Sequence, residues 1–230
     1  MIKNLFCDLD DTLFDFHRGE AAAIRETLSR VGMTPTDDVC RRYSEINRGF
    51  WRALERGEIT REKLLTERFS VLFAEYGVTA DAYLTQRYYE NALSEQHPFL
   101  PGAMEFLQDV RKTVSLYAVT NGTAKIQRKR MTDAGITPYF NGIFISQEIG
   151  HEKPSRAFFD ACFASLPDVR RDETLMLGDS LTSDMQGGVN AGILTCWFNP
   201  RGEENTAEIP IDFEVSSLAD AVKLIRKLNQ

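Results

Sequence analysis

Three aspartates stand within four residues near the start of the chain. Asp8, Asp10 and Asp11 directly follow the apolar run Ile2 to Cys7. An unpaired buried charge is costly, so this cluster requires either a cation or a reaction. If the apolar run is a strand, Asp8 and Asp10 point the same way because side chains alternate along a strand, and Asp11 points elsewhere. The alternative is an exposed acidic turn in which Asp11 and Thr12 cap the next segment.

A pair of carboxylates that face one site suits phosphoryl transfer. One carboxylate can attack phosphorus and carry the group as an aspartyl phosphate, while the other protonates the leaving oxygen and later activates water. Carboxylates this close to a phosphate repel both it and each other, so a divalent metal ion is expected as well. The remainder of the chain decides between this chemistry and the acidic turn.

The composition limits which partners the chain can have. Of 230 residues 43% are hydrophobic, which is enough for a proper core, and 27 basic against 34 acidic residues give a formal charge of -7. The only basic run, Arg128 to Arg130, reads as a solvated helix face. The sequence therefore predicts no nucleic-acid and no membrane partner, whereas a small phosphorylated substrate needs only a few local cations.

The cysteines predict neither a zinc site nor a disulfide framework. Cys7, Cys40, Cys162 and Cys196 are far apart and form no C-x-x-C pair. We expect them to be small buried residues in a reducing compartment. No apolar stretch approaches roughly 18 residues, and the N-terminus runs straight into the first predicted strand, so we expect a cytoplasmic protein.

A helical period dominates the chain between residues 18 and 95. Apolar residues recur at helical spacing from Ile24 to Val31 and from Leu65 to Tyr76, and Thr36 and Thr60 stand where N-caps are needed. We find no convincing strand in this region. The pattern predicts about four helices that form an insert over residues 17–97.

From Pro101 onward, apolar runs alternate with helical segments. The strand candidates are Val114 to Val119, Ile143 to Ser146, Thr174 to Leu177 and Ile193 to Phe198. This rhythm predicts parallel strands joined by right-handed crossovers, with helices on both faces of the sheet. We therefore predict an α/β fold, a doubly wound parallel sheet of Rossmann-like type, built from residues 1–16 and 98–230. A last helix is expected over Ser217 to Leu228.

Polar residues follow each predicted strand, and ligands of open parallel sheets bind beyond the carboxyl ends of the strands. After the second strand, the Thr120 hydroxyl and the backbone N–H of Gly122 could hold phosphate oxygens, with Asn121 between them. The same three residues could form an ordinary turn. Lys153 could neutralise Asp8 and a transferring phosphoryl group, or it could be a solvated loop lysine.

Two further aspartates follow the fourth of these strands. Asp179 and Asp184, together with Asp8, could build an oxygen-rich Mg²⁺ site that keeps several waters. Asp184 could instead cap the helix that begins there.

Taken in order, these motifs resemble those of the haloacid dehalogenase (HAD) superfamily. The matching elements are Asp8-x-Asp10-x-Thr12, Thr120, Lys153-Pro154 and Gly178-Asp179-x4-Asp184, and the resemblance spans residues 8 to 192. It implies that Asp8 is the nucleophile and Asp10 the general acid and base. It also implies that Thr120 binds phosphate and Lys153 stabilises charge. Mg²⁺ is then expected at Asp8, at the backbone carbonyl of Asp10 and at Asp179, with Asp184 close by.

The resemblance also assigns a role to the helical insert. Its position matches the C1 cap of the superfamily, a lid that excludes water and reads the leaving group. The acid at Asp10 favours a phosphatase, because dehalogenases lack an acid at that position.

Longer stretches are similar to the YjjG-type branch of the superfamily. These stretches are Asp11 to Phe16, Thr120 to Gly122, Ile145 to Gly150 and Asp184 to Ile193, with Asn47 to Trp51 and Gly57 to Thr60 in the cap. The branch implies a 5′-nucleotidase that acts on pyrimidine nucleoside monophosphates through an aspartyl-phosphate intermediate.

Four residues are candidates for substrate contacts. Trp51 could stack on a nucleobase or belong to the core of the helical insert. Asn47 could meet base-edge or sugar groups or be a solvated helix position. Phe14 and His17 lie at the hinge between the predicted core and insert, where they could line the leaving-group side.

Other functions remain open at this point. A phosphatase for sugar phosphates or phosphoglycolate uses the same chemistry, a phosphomutase would return the phosphoryl group to the substrate, and a binding protein could use the scaffold without catalysis. A response-regulator phosphoacceptor domain is disfavoured, because its phosphoacceptor follows a middle strand and it needs no helical insert. The sequence does not predict the base, the sugar or the oligomeric state.

Overall fold

The structure is a computed structural model that describes residues 1–230. The chain divides into two compact units, a sheet unit formed by Met1–Asp15 and Phe99–Gln230 and a helical unit formed by Phe16–Pro98. These boundaries lie one residue from those expected from the sequence. None of the helices combines the length and the apolar character needed to cross a membrane. All four cysteines are buried and free, as predicted.

The helical unit contains four helices and no strand, as the helical period predicts. They are α1 (Phe16–Arg30), α2 (Asp37–Glu55), α3 (Arg61–Tyr76) and α4 (Ala82–Ser94). The side chains of Thr36 and Thr60 accept hydrogen bonds from the N–H groups of Val39 and Lys63, which confirms both predicted N-caps. Within the unit, α1 packs on α4 and α2 packs on α3.

The sheet unit is built on six parallel strands. They are β1 (Asn4–Cys7), β2 (Ser115–Thr120), β3 (Gly142–Ile145), β4 (Thr174–Gly178), β5 (Leu194–Phe198) and β6 (Phe213–Val215). The strand order is β3-β2-β1-β4-β5-β6, and every neighbouring pair is parallel. The predicted doubly wound α/β fold is therefore confirmed. Strand β6 was not predicted from the sequence, because three residues with Glu214 at their centre give no apolar run.

Helices cover both faces of this sheet. They are α5 (Ala103–Val110), α6 (Ala124–Asp133), α7 (Ser146–Ile149), α8 (Arg156–Ala164), α9 (Gln186–Ala191) and α10 (Leu218–Leu228). Because side chains alternate along β1, this strand contributes to the apolar packing on both faces of the sheet. Leu5 belongs to the apolar cluster that holds Phe106 of α5 and Ile225 of α10, whereas Phe6 packs with Phe158 of α8 on the other face.

The carboxyl end of β1 is the point at which the strand order changes direction. From β1 the chain runs through β2 to β3 at one edge of the sheet, and it then returns to β4 on the other side of β1 and continues towards the opposite edge. Open α/β sheets bind their ligands at such a switch point. The residues that follow β1, β2 and β4 therefore meet at one edge.

Candidate active site

A buried lysine lies at the centre of this edge. Lys153 is 1% exposed, and its Nζ lies 2.7 Å from Asp8 Oδ1, 2.6 Å from Asp184 Oδ1 and 2.9 Å from the carbonyl oxygen of Val119. The solvated-loop interpretation of Lys153 is therefore wrong. Asp8 is also buried, and its N–H donates to the carbonyl of Leu177 in β4 (2.9 Å), so the acidic-turn interpretation is wrong as well.

Asn121 holds the main chain of Lys153 in place. Its Oδ1 accepts a hydrogen bond from the Lys153 N–H (2.8 Å), and its Nδ2 donates to the Lys153 carbonyl (2.9 Å). Both ends of this amide bind one residue, as a backbone partner would in a sheet. A phosphate-binding role for Asn121 would therefore fall to its backbone N–H, because its side chain is engaged by Lys153. The side chain fixes the loop that delivers Lys153 to Asp8.

Three carboxylates lie together here, and two of them bind the single ammonium group. Carboxylate oxygens of Asp8, Asp179 and Asp184 all lie within 4.8 Å of one another, with Asp8 and Asp184 buried and Asp179 half-buried. Three negative charges against one positive charge leave an excess that a divalent cation would offset. Carboxylate oxygens are also the donors that Mg²⁺ prefers. This donor set fits the magnesium ion expected from the sequence.

Asp184 owes its position to the turn that follows β4. Ser180 is the N-cap of a π-type turn at Leu181–Met185, and Asp184 lies within that turn, so the capping interpretation of Asp184 is wrong. Its Oδ2 accepts a hydrogen bond from the Ser180 N–H (3.1 Å). A Cβ atom on Gly178 would overlap the Asp184 carboxylate. The glycine before Asp179 is therefore required by close approach.

Asp179 is held from two directions. The indole N–H of Trp197 in β5 donates to the Asp179 carbonyl oxygen (2.8 Å), and the Thr12 hydroxyl lies 3.4 Å from Asp179 Oδ1. The main chain at Asp179 is thus anchored to the neighbouring strand.

The crowding of charge changes the protonation of these groups. Burial raises the pKa of Asp8 to about 8, with Lys153 lowering it and Asp184 and Asp10 raising it further. Burial and the neighbouring carboxylates also raise the pKa of Asp179 well above its usual range. Burial lowers the pKa of Lys153, but Asp184 and Asp8 more than offset this, so Lys153 stays protonated. Without a second cation, the cluster therefore favours partly protonated carboxyls.

The hydroxyl of Thr120 is arranged as a hydrogen-bond donor. Its oxygen accepts hydrogen bonds from the N–H of Gly122 (3.1 Å) and from Nε2 of Gln127 (2.9 Å). A threonine hydroxyl has two lone pairs and one hydrogen, so the hydrogen is left to donate. An acceptor such as a phosphate oxygen is the matching ligand. This close approach of Gln127 requires a glycine at position 122, because a Cβ atom there would lie 2.6 Å from the Gln127 side chain.

Asp10 is bound through both carboxylate oxygens. Nη1 of Arg130 lies 2.5 Å from Oδ1, and Nε2 of Gln127 lies 2.7 Å from Oδ2. Arg130 is 1% exposed, so the expected solvated helix face is wrong for this residue. It is right for Arg128, whose exposed side chain pairs with Glu148 at 2.7 Å.

Sequence reasoning missed Gln127 and Arg130, although a signal for them exists. The buried residues of α6 are Ile126, Gln127, Arg130 and Met131. Two apolar residues therefore mark the face on which the two polar ones lie. A polar pair on the apolar stripe of a helix indicates a buried partner.

The expected substrate residues are distributed differently. Phe14 belongs to the sheet unit and is completely buried, stacked on Phe99 with a centroid distance of 5.4 Å, so it presents no surface to a ligand. His17 is exposed at the start of α1. Trp51 is half-buried in α2, and the Arg61 guanidinium lies 5.5 Å from the centre of its ring.

Asn47 fits neither of its expected descriptions. It is 3% exposed, its Nδ2 donates to Glu20 Oε1 (2.6 Å) and its Oδ1 accepts from Arg68. The side chain is a member of a buried polar network inside the helical unit, and it is not a solvated helix position.

Comparison with known proteins places the chain among one group of hydrolases. A family model for haloacid dehalogenase-like hydrolases matches residues 2–192. The HAD-hydrolase YfnB of Bacillus subtilis is 38% identical over 97% of this chain and 95% of its own. Its crystal structure, bound to magnesium, superposes with a TM-score of 0.93 over 97% of this chain and 98% of that one.

Two nucleotidases are similar over nearly the same length. The pyrimidine 5′-nucleotidase PynA of Streptococcus pneumoniae is 37% identical over 98% of this chain and 95% of its own. The pyrimidine 5′-nucleotidase YjjG of Escherichia coli is 31% identical over 97% of each chain.

Proposed function

The chain belongs to the haloacid dehalogenase-like hydrolases, and we propose that it is a Mg²⁺-dependent pyrimidine 5′-nucleotidase that works through an aspartyl phosphate on Asp8. The observation that carries the proposal is the buried Lys153 between Asp8 and Asp184, with Asp10 and Thr120 at the same edge of the sheet. The substrate class is supported by the similarity to PynA and YjjG over nearly the full chain.

The first step forms the phosphoenzyme. A carboxylate oxygen of Asp8 attacks phosphorus, and the bond from phosphorus to the 5′ oxygen of the nucleoside breaks. The carboxyl group of Asp10 gives its proton to that oxygen, so the nucleoside leaves as a neutral alcohol. The Lys153 ammonium, 2.7 Å from Asp8 Oδ1, holds the nucleophile in place and offsets the charge that gathers on the phosphoryl oxygens.

The second step regenerates the enzyme. A water molecule attacks the phosphorus of the acyl phosphate, and the Asp10 carboxylate takes its proton. The bond from phosphorus to the Asp8 oxygen breaks, which restores the Asp8 carboxylate and releases phosphate. Thr120 donates its hydroxyl hydrogen to a phosphate oxygen in both steps, because its lone pairs are already occupied.

Asp8 and Asp179 would hold the metal ion directly, with the backbone carbonyl of Asp10. Asp184, whose oxygens also bind Lys153 and the Ser180 N–H, completes the group of carboxylates around the ion and positions its neighbours. When bound, Mg²⁺ would supply the positive charge that lets the Asp8 carboxylate and the phosphate dianion approach one another.

The helical unit is proposed to act as the cap that reads the leaving group. Within it, Trp51 is half-buried and keeps part of its ring exposed, which suits stacking on a pyrimidine base. Replacing Trp51 with alanine should raise the KM for nucleotides; unchanged KM and kcat would exclude this contact.

Phosphate release from a substrate panel tests the proposal. The panel contains UMP, dUMP, dTMP, AMP, GMP, glucose 6-phosphate and phosphoglycolate, each measured with Mg²⁺ and with EDTA. We expect metal-dependent release with the pyrimidine nucleotides as the best substrates. Release led by sugar phosphates or phosphoglycolate would keep the two-step chemistry and reject the nucleotidase assignment, and no release from any compound would reject both.

A further inference from the structure

Helix α6 contributes two buried polar side chains beside the metal and phosphate cluster, and one of them, Gln127, also donates to the Thr120 hydroxyl. Gln127 and Arg130 are each 1% exposed, and a spacing of three residues places them on one face of the helix. Removing a guanidinium from water is costly, and a well-packed apolar side chain at such a position is often at least as stable. Core packing alone therefore does not explain the presence of an arginine at position 130.

The two side chains hold the Asp10 carboxylate by separate oxygens. Arg130 donates to Oδ1 from Nη1 at 2.5 Å, and Gln127 donates to Oδ2 from Nε2 at 2.7 Å. A carboxylate held at only one oxygen can rotate about its Cβ–Cγ bond. With a different donor on each oxygen, rotation would break both hydrogen bonds, so the plane of the carboxylate is fixed.

The clamp is itself braced. Nη1 of Arg130 also lies 2.8 Å from Gln127 Oε1, and because a guanidinium only donates, this contact orients the amide with its NH₂ group towards Asp10. The guanidinium lies 4.5 Å from the centre of the buried Phe14 ring, which supports its flat face. Gln127 and Arg130 therefore form one rigid unit.

The orientation of Asp10 matters because of where that residue lies. Its side chain is 27% exposed, whereas Arg130 behind it is 1% exposed, so the carboxyl group presents an accessible edge and is held from its buried side. A general acid contributes only when its proton points at the leaving oxygen, and a misplacement of about 1 Å can cost roughly 10²-fold in rate.

We propose that Arg130 and Gln127 are positioning residues that orient Asp10 for proton transfer to the leaving group. In that step the O–H bond of the Asp10 carboxyl breaks, the proton goes to the ester oxygen as its bond to phosphorus breaks, and the remaining carboxylate keeps both donors. This inference rests on the proposed function, because it concerns the acid step of that reaction.

The leaving group provides the test. p-Nitrophenolate departs without a proton, whereas the 5′ alkoxide of a nucleoside requires one. The ratio kcat/KM covers binding and the steps up to the departure of the alcohol, so it excludes the later hydrolysis of the phosphoenzyme. Comparing p-nitrophenyl phosphate with UMP therefore measures how well Asp10 delivers its proton, and a general loss of structure would lower both values alike.

We expect Arg130→Met to lower kcat/KM for UMP about 10²-fold more than for p-nitrophenyl phosphate, within the roughly 10²–10⁴-fold that general acid catalysis supplies. Gln127→Leu should also lower kcat/KM for UMP more than for p-nitrophenyl phosphate, by a smaller ratio because the charged donor remains, on top of an equal loss for both substrates because Thr120 loses a hydrogen bond. Arg130→Lys should recover part of the loss. If Arg130→Met does not fold, as judged by circular dichroism, Arg130→Lys and Gln127→Leu carry the comparison.

Two controls separate positioning from other effects. Arg128→Met removes a charge from the same helix two residues earlier, at an exposed side chain that pairs with Glu148, and should leave the ratio between the two substrates unchanged. In an Asp10→Asn background, Arg130→Met should cause no further selective loss of UMP hydrolysis, because the group on which it acts is gone.

The results can overturn the inference in two ways. Equal losses on the two substrates in a folded Arg130→Met protein would show that Arg130 does not act on the acid step. A full selective loss in the Asp10→Asn background would show that it acts through another group. If the wild-type protein released phosphate from neither substrate, the proposed function itself would fail and this inference would fail with it.

Discussion

Each unit of the protein buries a cluster of charged side chains, and the two clusters are built differently. In the helical unit, the amide of Asn47 lies between Glu20 and Arg68, and the amide of Gln86 lies between Arg68 and Glu90. Each charged group in this series of hydrogen bonds contacts either the NH₂ group or the carbonyl oxygen of a side-chain amide. The two amides connect opposite charges without placing like charges side by side.

The Arg68 guanidinium has aromatic partners as well. It lies 4.9 Å from the ring centre of Tyr89, 5.3 Å from that of Phe69 and 5.9 Å from that of Tyr43. These rings stabilise the buried cation. In the network of the helical unit, one guanidinium thus lies among aromatic rings and between two amides that keep Glu20 and Glu90 apart.

The sheet unit places like charges together. Asp8, Asp179 and Asp184 lie together, the Lys153 ammonium binds Asp8 and Asp184, and protonation or a further cation is needed to relieve the remaining repulsion. The comparison shows that burial of charge does not by itself indicate function. A network that keeps its like charges apart specifies a fold, and a cluster that brings like charges together requires a cation and an anionic substrate to complete it.

The largest expected effect is on catalytic activity, which should depend on the cluster in the sheet unit. Asp8→Asn should lower kcat by roughly 10⁶-fold, as the loss of a covalent nucleophile does in other enzymes, because no oxygen nucleophile remains to attack phosphorus. The same change removes one of three crowded carboxylates, so thermal unfolding in EDTA should occur at no lower temperature than for the wild type. Turnover retained by this variant would exclude the covalent mechanism.

Breaking the network of the helical unit should lower the stability of the protein. Arg68→Met leaves Glu20 and two amides without their central cation, and we expect the free energy of unfolding to fall by roughly 3–5 kcal/mol. Denaturant titration measures the change, with Arg42→Met as the matched control in the same unit. Arg42 forms an exposed pair with Glu75 at 2.6 Å, and solvent screening makes the contribution of such a pair to stability much smaller than that of the buried Arg68. Equal losses in the two variants would contradict the comparison.

The third expected effect concerns the pH dependence of the metal-free protein. The pKa of Asp8 is raised to about 8 in the folded chain, well above its ordinary value, so the folded state binds a proton that the unfolded state releases. The stability that this group contributes is present below about pH 4 and is lost as the pH rises towards 8. In EDTA the melting temperature should therefore fall across this range, by roughly 2–4 °C for each kcal/mol lost.

Saturating Mg²⁺ should flatten that profile, because the ion replaces the proton as the partner of the carboxylates. Asp8→Asn in EDTA should flatten it too. A pH profile that is identical with and without Mg²⁺ would mean that the cluster does not bind the ion.

The sequence predicted the framework because the framework depends on local patterns. Apolar runs indicated five of the six strands, and Thr36 and Thr60 marked two helix starts through their own side chains. Polar residues after the strands identified Asp8, Thr120 and Lys153, because a parallel sheet brings the ends of its strands to one edge. Strand β6 was missed because its three residues depend on pairing with β5.

Other features depend on contacts between segments that are far apart in the chain. Arg130 was interpreted as part of a charged helix face, and only the position of Asp10, 120 residues earlier, explains its burial. Asn121 was assigned to phosphate, whereas its amide binds the main chain of a loop 32 residues later. Residue type predicts that such side chains need partners, but it does not predict which partners the fold supplies.

The hydrogen bond from Trp197 to Asp179 has an optical consequence. The chain has two tryptophans, and each unit holds one of them, Trp51 in the helical unit and Trp197 in the sheet unit. The indole of Trp197 is bound to the backbone of a proposed metal ligand, so its ultraviolet emission reports directly on the charge at that place. In a Trp51→Phe protein, fluorescence would follow the binding of Mg²⁺ without any added dye.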